Sequence, residues 1–194
     1  RYAELGDVLK AIEFSEQALV IAREVGDRRG EGIRLGNLGN RYADLGNAHK
    51  AIEFYEQALI IDREIGDRSS EAADLLNAGH VFFDLEEYKK GEEFIKQAIQ
   101  IADEILLRPV QQFIRCELAQ AHLFQNDFVN ARTAIESAVQ YDVLQNNHNA
   151  TALHGIIALR QGERKTAQEA FTKSIAQADE ILSKTAEYYS ALDA

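Results

Sequence analysis

The chain of 194 residues contains no methionine, no tryptophan and only one proline. Proline interrupts helices because it lacks the backbone N–H, so its scarcity allows long helices. Alanine, leucine, isoleucine, glutamate and glutamine are common, and these residues favour helix over strand. The chain also begins at Arg1 rather than at an initiator methionine. We therefore expect an all-α protein that is a fragment of a longer polypeptide.

Cysteines and long apolar runs are also scarce. Cys116 is the single cysteine, which excludes an internal disulfide and fits a reducing compartment. No apolar run approaches the roughly 20 residues that cross a bilayer, and no signal peptide is recognisable. The sequence therefore predicts a cytoplasmic location.

Positive charge is in deficit. The chain carries 21 Lys and Arg against 32 Asp and Glu, which gives a formal net charge of −11. Such a surface repels phosphate backbones and anionic lipid headgroups. We therefore predict that neither nucleic acid nor a membrane is a partner.

An internal repeat dominates the sequence. Residues 1–40 are identical to residues 41–80 at 24 of 40 aligned positions. A repeat period of this size indicates a linear array of similar structural units. We place the repeats at residues 1–40, 41–80, 81–120, 121–147 and 148–184, with residues 185–194 beginning a further helix. The prediction is one array over residues 1–194.

Each repeat has the pattern of two amphipathic helices separated by a glycine and a capping residue. The apolar spacing of three and four residues is clearest over residues 47–65. Gly46-Asn47 predicts the end of one helix and the cap of the next. Gly6-Asp7 stands at the same point of the first repeat and predicts the same break. Gly26-Asp27 and Gly66-Asp67 mark the turns between repeats.

Small residues recur at fixed positions in these helices. One column holds Gly39, Gly79, Ala119 and Gly155, and a second holds Ala51, Gly91, Ala131 and Ala167. Small side chains allow helix axes to approach closely, and a single helix pair cannot bury its apolar face alone. The pairs are therefore expected to stack in series and to stabilise one another.

The motif Leu38-Gly39, Tyr42, Leu45-Gly46, Ala51, Tyr55 and Ala58 resembles the tetratricopeptide repeat family. The usual period of that family is 34 residues. The 40-residue period is similar to a long-repeat subclass found in kinesin light chains, in the adaptors Pins and LGN, and in bacterial signalling ATPases. The resemblance implies a right-handed superhelical α-solenoid of antiparallel helix pairs. Repeats four and five depart from the motif, with His122 and Ala158 in place of the tyrosine.

The same resemblance implies that partners bind in a concave groove lined by the first helix of each pair. The first-helix positions that packing does not require give a candidate groove, which comprises Asn40, Asp44, Leu76, His80, Phe83, Asp84, Cys116, Gln120, Phe124, Ile156 and Arg160. Amides such as those of Asn40 and Gln120 can bond to a peptide backbone. Phe83, Phe124 and Leu76 are expected to be apolar anchors. Asp44 and Asp84 favour a basic ligand.

No catalytic, cofactor or metal site is predicted. The glycine-rich segment at residues 36–40 matches neither a P-loop nor a dinucleotide fingerprint. The five histidines lie in different repeats or on different helix faces, whereas a zinc site needs converging ligands. Cys116 as a nucleophile would need a neighbouring base. The chain is therefore not expected to be an enzyme.

Two functions remain open. The first is a scaffold or sensor segment that binds a protein or peptide in the groove. The alternative is a structural segment of a larger signalling protein, used for intramolecular packing or self-assembly. Because residues 1–6 and 185–194 are incomplete repeats without polar caps, self-association through the terminal repeats is also expected.

Overall fold

The computed structural model describes the backbone of residues 2–192 and the side chains of residues 8–185. Within this range every regular secondary-structure element is an α-helix, which confirms the predicted all-α class. The helices are α1 (Tyr2–Val25), α2 (Arg28–Asp44), α3 (Ala48–Ile65), α4 (Arg68–Asp84), α5 (Tyr88–Glu104), α6 (Arg108–Phe124), α7 (Phe128–Ala138), α8 (Asn147–Arg160) and α9 (Arg164–Leu192).

The helices form two compact units, the N-terminal unit Arg1–Ile105 and the C-terminal unit Leu106–Ala194. In the N-terminal unit each helix packs on the next one in the chain, and α2 also contacts α4. In the C-terminal unit α6, α7, α8 and α9 follow the same rule, and α6 also contacts α8. Each unit is therefore a row of antiparallel helix pairs whose first helices touch one another.

The glycine turns form where the sequence places them. Gly26, Gly46 and Gly66 all have a φ of 72°, a left-handed conformation that a β-carbon disfavours. The residue after each glycine caps the next helix. For example, Asn47 Oδ1 accepts a hydrogen bond from the Lys50 amide at 3.3 Å. These caps satisfy backbone groups that a helix end leaves unpaired, so the chain reverses within two residues.

The small-residue columns lie where helices make their closest contacts. A β-carbon on Gly39 would be 2.5 Å from the Tyr55 ring, and one on Gly79 would be 2.7 Å from Ile95. A β-carbon on Gly155 would likewise be 2.7 Å from the Phe171 ring. The alanines in these columns are buried, namely Ala51, Ala119, Ala131 and Ala167. The predicted reason for stacking is confirmed.

Both ends of the chain differ from the prediction. The expected break at Gly6-Asp7 is wrong, because α1 continues from Tyr2 to Val25. The separate helix expected from residue 185 is also absent, since α9 continues to Leu192. The sequence of α9 contains neither glycine nor proline to interrupt it.

No helix in the described part of the chain is both long and apolar enough to cross a membrane.

Candidate functional site

The first helices of the N-terminal unit, α2 and α4, carry six of the predicted groove residues. Asn40 lies near the end of α2 and is half-buried, and its Oδ1 accepts a 2.6 Å hydrogen bond from the Tyr55 hydroxyl. That bond links α2 to the second helix of its own pair. The side-chain oxygen of Asn40 therefore positions the buried Tyr55 side chain, and the Asn40 side chain as a whole is partly exposed.

Of the predicted apolar anchors of α4, Leu76 is buried and Phe83 is half-buried. Leu76 is only 6% exposed and belongs to the core. The Phe83 ring lies 6.2 Å from the Tyr88 ring and covers Gly91, where a β-carbon would approach the ring to 2.9 Å. Phe83 therefore packs against α5. The 40-residue register does not reveal this contact, in which Gly91 of α5 leaves room for the Phe83 ring.

The charged and ionisable groove residues occupy the ends of α2 and α4. Asp44 is exposed and forms a 2.9 Å ion pair with Arg41 one turn earlier. Asp84 is exposed at the same point of α4, and His80 is half-buried one turn before it. Asp44 thus has a cation of its own, which reduces its attraction for a basic ligand.

Two buried carboxyl groups form a feature of the N-terminal unit that the candidate groove did not include. Asp62 on α3 is 2% exposed, and Asp74 on α4 is 7% exposed. Both carboxyl groups are withdrawn from water, and the charge of Asp62 disfavours ionisation of Asp74. Burial and the neighbouring carboxyl raise the pKa of Asp74 to about 8, and burial raises that of Asp62 to about 6.

The carboxyl pair occupies space that glycines in α2 leave open. A β-carbon on Gly36 would be 2.7 Å from Asp74 Oδ1, and one on Gly32 would be 3.1 Å from Asp62 Oδ1. Forty residues earlier, the positions equivalent to Asp62 and Asp74 hold Ala22 and Arg34. Forty residues later, they hold Ala102 and Ile114. The pair is therefore specific to one repeat, and comparison of the columns would have indicated it.

The C-terminal unit contains an open pocket of about 500 Å³ between its first helices, α6 and α8. The lining residues are Gln112, Phe113, Cys116, Glu117, Gln120, Leu123, Phe124, Asn146, Asn149, Ala152, Leu153 and Ile156. The lining residues recur every three or four positions along α6 and from Asn146 along α8, so each helix contributes one stripe to the pocket. Four of the predicted groove residues come together here, namely Cys116, Gln120, Phe124 and Ile156.

Arg160 is exposed at the end of α8 and does not line this pocket. The candidate groove also omits one helical turn at the opposite end of the pocket. Phe113 and Asn149 precede Cys116 and Ala152 at the same helical spacing, and extending the columns backwards would have included them.

Apolar side chains form much of the pocket surface. Phe124 is 83% exposed, Phe113 is 48% exposed and Ile156 is 41% exposed. Large side chains of this kind are usually withdrawn from water, so the pocket offers apolar area to a ligand. The polar lining groups are mainly amides, which both donate and accept hydrogen bonds.

Gln112 fixes the wall of the pocket at its buried end. Its side chain is 1% exposed, and its Nε2 donates to the Tyr141 carbonyl at 2.7 Å and to Asn147 Oδ1 at 3.1 Å. Gln112 Oε1 is buried without a hydrogen-bond partner. An unpaired buried carbonyl is costly, so this oxygen favours a donor from water or from a ligand.

Cys116 is half-buried in the pocket lining. Burial, with a smaller contribution from Glu117, raises the pKa of its thiol to about 11. A thiol with this pKa stays protonated near neutral pH and is a weak nucleophile. Cys116 therefore contributes a small, weakly polar surface.

The comparisons with known proteins agree with this architecture. Residues 2–64 and residues 75–104 each match a family profile described as tetratricopeptide repeat. No curated protein matches the chain.

Several solved structures are similar in fold. The structure of BtubC (BKLC) from P. vanneervenii is 19% identical, with a TM-score of 0.79, over 92% of this chain and 76% of that one. Nearly identical TPR-like repeats of a putative kinesin light chain from Podosopora anserina are 19% identical, with a TM-score of 0.73, over 93% of this chain and 92% of that one.

A third similar structure is a signal transduction ATPase with numerous domains from Pyrococcus horikoshii, which has a tetratricopeptide repeat sensor. It is 18% identical, with a TM-score of 0.72, over 92% of this chain and 29% of that one. At these identities the likeness concerns the fold, an all-α solenoid of helical repeats. The family profiles identify tetratricopeptide repeats at residues 2–64 and 75–104, and the stacked helix pairs continue through the described part of the chain.

Proposed function

We propose that this chain is a protein-interaction scaffold that binds a peptide segment of a partner in the pocket between α6 and α8. The observation that supports this most is the joint lining of exposed apolar side chains and amides. A pocket of about 500 Å³ has the size of a site for a few side chains. Such a surface suits a segment that inserts apolar residues and bonds through its backbone.

The two phenylalanines are the proposed anchors. Phe113 and Phe124 stand at opposite ends of the α6 stripe and keep much of their surface exposed. Aromatic residues in desolvated pockets account for much of the binding energy of protein interfaces. Gln120 and Asn149 provide amide groups that can pair with the N–H and C=O groups of an extended or helical ligand.

Electrostatics favour a basic residue in the ligand. Glu117 is the charged residue of the lining, and the whole chain has a net charge of −11. A negative field increases the association rate of a cationic peptide and weakens as salt is added. For the same reason we propose that nucleic acids and anionic membranes are not ligands.

Binding rather than catalysis is part of the proposal. The fold is typically non-catalytic, and the protonated thiol of Cys116 is a poor nucleophile. The single cysteine and the absence of an internal disulfide fit a cytoplasmic location.

The proposal is tested by selecting ligands from a random displayed peptide library against the whole chain. Selected peptides are then titrated by fluorescence anisotropy against the wild type, Phe124→Ser and Ile156→Asp. We expect at least a tenfold loss of affinity for each variant, because each removes a lining group of the pocket.

Val129→Ser is the matched control, since Val129 is 72% exposed on α7 and does not line the pocket. It should leave the affinity unchanged. If the pocket variants bind the selected peptides as tightly as the wild type and Val129→Ser does, the ligand lies elsewhere and the proposal is wrong.

A further inference from the structure

The C-terminal unit contains a second, smaller cavity beside the segment that links α7 to α8, with a volume of about 230 Å³. We call it the α9 cavity, and its lining includes Gln112 of α6, Asp142 of the segment, Ala150 of α8, and Lys173 and Gln177 of α9. A single water molecule needs roughly 10–15 Å³, whereas pockets for drug-sized ligands have about 300–1,000 Å³. The α9 cavity therefore has the size of a site for a small metabolite.

The α9 cavity exists because α7 is short. α7 has 11 residues, whereas the second helices α3 and α5 have 18 and 17. Residues 139–146, which join α7 to α8, are non-helical and fill the remaining space only in part. Val139, the first residue after α7, and Ala150 of α8 give the cavity an apolar wall.

Hydrogen bonds and packing fix the segment that borders the cavity. Asn147 Oδ1 accepts a hydrogen bond from the Val143 amide at 2.9 Å, and Asn147 Nδ2 donates to Asp142 Oδ1 at 2.7 Å. The Arg115 guanidinium lies 4.9 Å from the centre of the Tyr141 ring. Val143 is 5% exposed and anchors the segment in the core. The cavity is therefore preformed, which lowers the entropic cost of binding.

Two buried amide oxygens of the cavity lining lack hydrogen-bond partners. Gln112 Nε2 donates to the Tyr141 carbonyl and to Asn147 Oδ1, and both of these residues line the α9 cavity. The two bonds place the amide group of Gln112 on the side of this cavity. Gln112 Oε1 and Gln177 Oε1 are each buried without a partner. Because an unpaired buried acceptor is costly, the cavity favours a ligand that carries hydrogen-bond donors.

Charged groups of both signs border the same cavity. Asp142 and Lys173 belong to the lining and are exposed, so their charges lie toward solvent. A carboxylate attracts an ammonium group, and the ammonium group of a lysine attracts a carboxylate. Gln112 Oε1, Gln177 Oε1 and the Asp142 carboxylate together provide three acceptors, which is the number of N–H donors on a protonated primary amine. The lining therefore fits a small zwitterion.

We propose that the α9 cavity binds a free α-amino acid with a short aliphatic side chain. The α-ammonium group of the ligand donates to the amide oxygens of Gln112 and Gln177 and to the carboxylate of Asp142. The α-carboxylate pairs with Lys173 at the solvent side, and the aliphatic side chain contacts the apolar wall. The ligand thus pairs the two buried oxygens that the protein leaves unpaired.

This site does not depend on the peptide pocket between α6 and α8. Gln112 lines both spaces, whereas Asp142, Lys173 and Gln177 line the α9 cavity and not the peptide pocket. Phe124 lines the peptide pocket and not the α9 cavity. Substitutions at these residues therefore separate the two sites.

The test is isothermal titration calorimetry of the whole chain with L-valine near neutral pH, where this amino acid is a zwitterion. Isobutylamine lacks its carboxylate and 3-methylbutanoate lacks its ammonium group, while both keep the branched aliphatic part. L-valine should bind, and each analogue should bind at least tenfold more weakly. If L-valine does not bind, the cavity holds only water and the proposal is wrong. An analogue that binds as tightly as L-valine would also overturn it.

A substitution in α9 tests the location. Gln177→Leu removes one of the two unpaired oxygens and should weaken L-valine binding at least tenfold. Because that oxygen has no partner in the protein, the change should not destabilise the fold, which urea unfolding verifies. Gln168→Leu is the matched control, since Gln168 is exposed on α9 and does not line the cavity. Unchanged affinity of Gln177→Leu for L-valine would contradict the site.

Lys173→Gln tests the orientation of the ligand. It should weaken L-valine binding several-fold and leave the weaker binding of isobutylamine unchanged, because only the amino acid has a carboxylate. An equal loss for both ligands, or no loss for L-valine, would contradict the proposed pairing. Phe124→Ser should leave L-valine binding unchanged. If Phe124→Ser abolishes it instead, the amino acid occupies the peptide pocket and the proposal is wrong.

Discussion

Asp62 and Asp74 place two carboxyl groups in the interior of the N-terminal unit, beside glycines of α2. A buried charge without a counter-ion lowers stability, so burial favours the neutral, protonated form of both carboxyl groups. Asp62 Oδ2 also has no hydrogen-bond partner. The pair therefore makes the stability of this unit depend on pH.

The sign follows from the pKa of each group. The folded-state pKa of Asp74 is about 8 and that of Asp62 is about 6, both above the value of about 3.9 for an unfolded aspartate. The folded state binds more protons between these values, so this contribution is fully present below pH 4 and is lost as the pH rises to 8. We predict that Asp74→Asn, which cannot ionise, is more stable than the wild type at pH 8 by roughly 1–3 kcal/mol.

Urea unfolding at pH 5 and pH 8 measures this difference. The advantage of Asp74→Asn should be much smaller at pH 5, where the wild-type pair is protonated. Asp44→Asn is the control, because Asp44 is exposed and should show little change between the two pH values. An advantage that is the same at both pH values would contradict the raised pKa of Asp74.

At the residue scale, the sequence predicted packing better than it predicted the groove. The predicted columns of small residues lie at the helix contacts. Two helices that approach closely need a small residue at the same position of each repeat, as at Gly39. Leu76 is buried and Phe83 is half-buried, because a residue on the groove side of a helix contacts core or solvent according to the size of its neighbours. The period of a single sequence does not report that size directly.

At the element scale, three helices end at a residue other than glycine in the left-handed conformation. Glu86, Leu106 and Asn126 have φ values of 61°, 54° and 58°, where equivalent turns use Gly46 and Gly66. A β-carbon in this conformation costs roughly 1–2 kcal/mol, and asparagine tolerates it best. Leu106 is the least suited of the three, and its side chain is 76% exposed.

We predict that Leu106→Gly raises the free energy of unfolding by about 0.5–1 kcal/mol. The gain is the strain removed, less the greater backbone entropy that glycine loses on folding. Chemical unfolding of the two proteins measures it. Leu106→Ala retains a β-carbon and should give no such gain. Equal stability of the glycine and leucine proteins would show that the turn is unstrained.

Most helix boundaries could be predicted, because glycine followed by a capping residue is a local signal. The ends of the chain could not be predicted in this way. Gly6-Asp7 has the same dipeptide pattern as the turns between helices, yet it lies inside α1.

At the scale of the whole molecule, each unit is a row of helix pairs, and the repeat predicts that arrangement directly. The ligand is harder to predict, because binding depends on residues that differ among repeats. Phe113, Phe124 and Ile156 belong to columns that hold other residue types in earlier repeats, and only the structure shows that they meet at one pocket. The non-repeating part of a repeat protein is therefore where its specificity lies.

Hydrogen exchange of the whole chain with and without a selected peptide tests the central claim most directly. Our account predicts slower amide exchange in α6 and α8, whose side chains line the pocket, with little change in α7 and α9. Protection confined to α7 and α9, or no protection of α6 and α8 at saturating peptide, would contradict it.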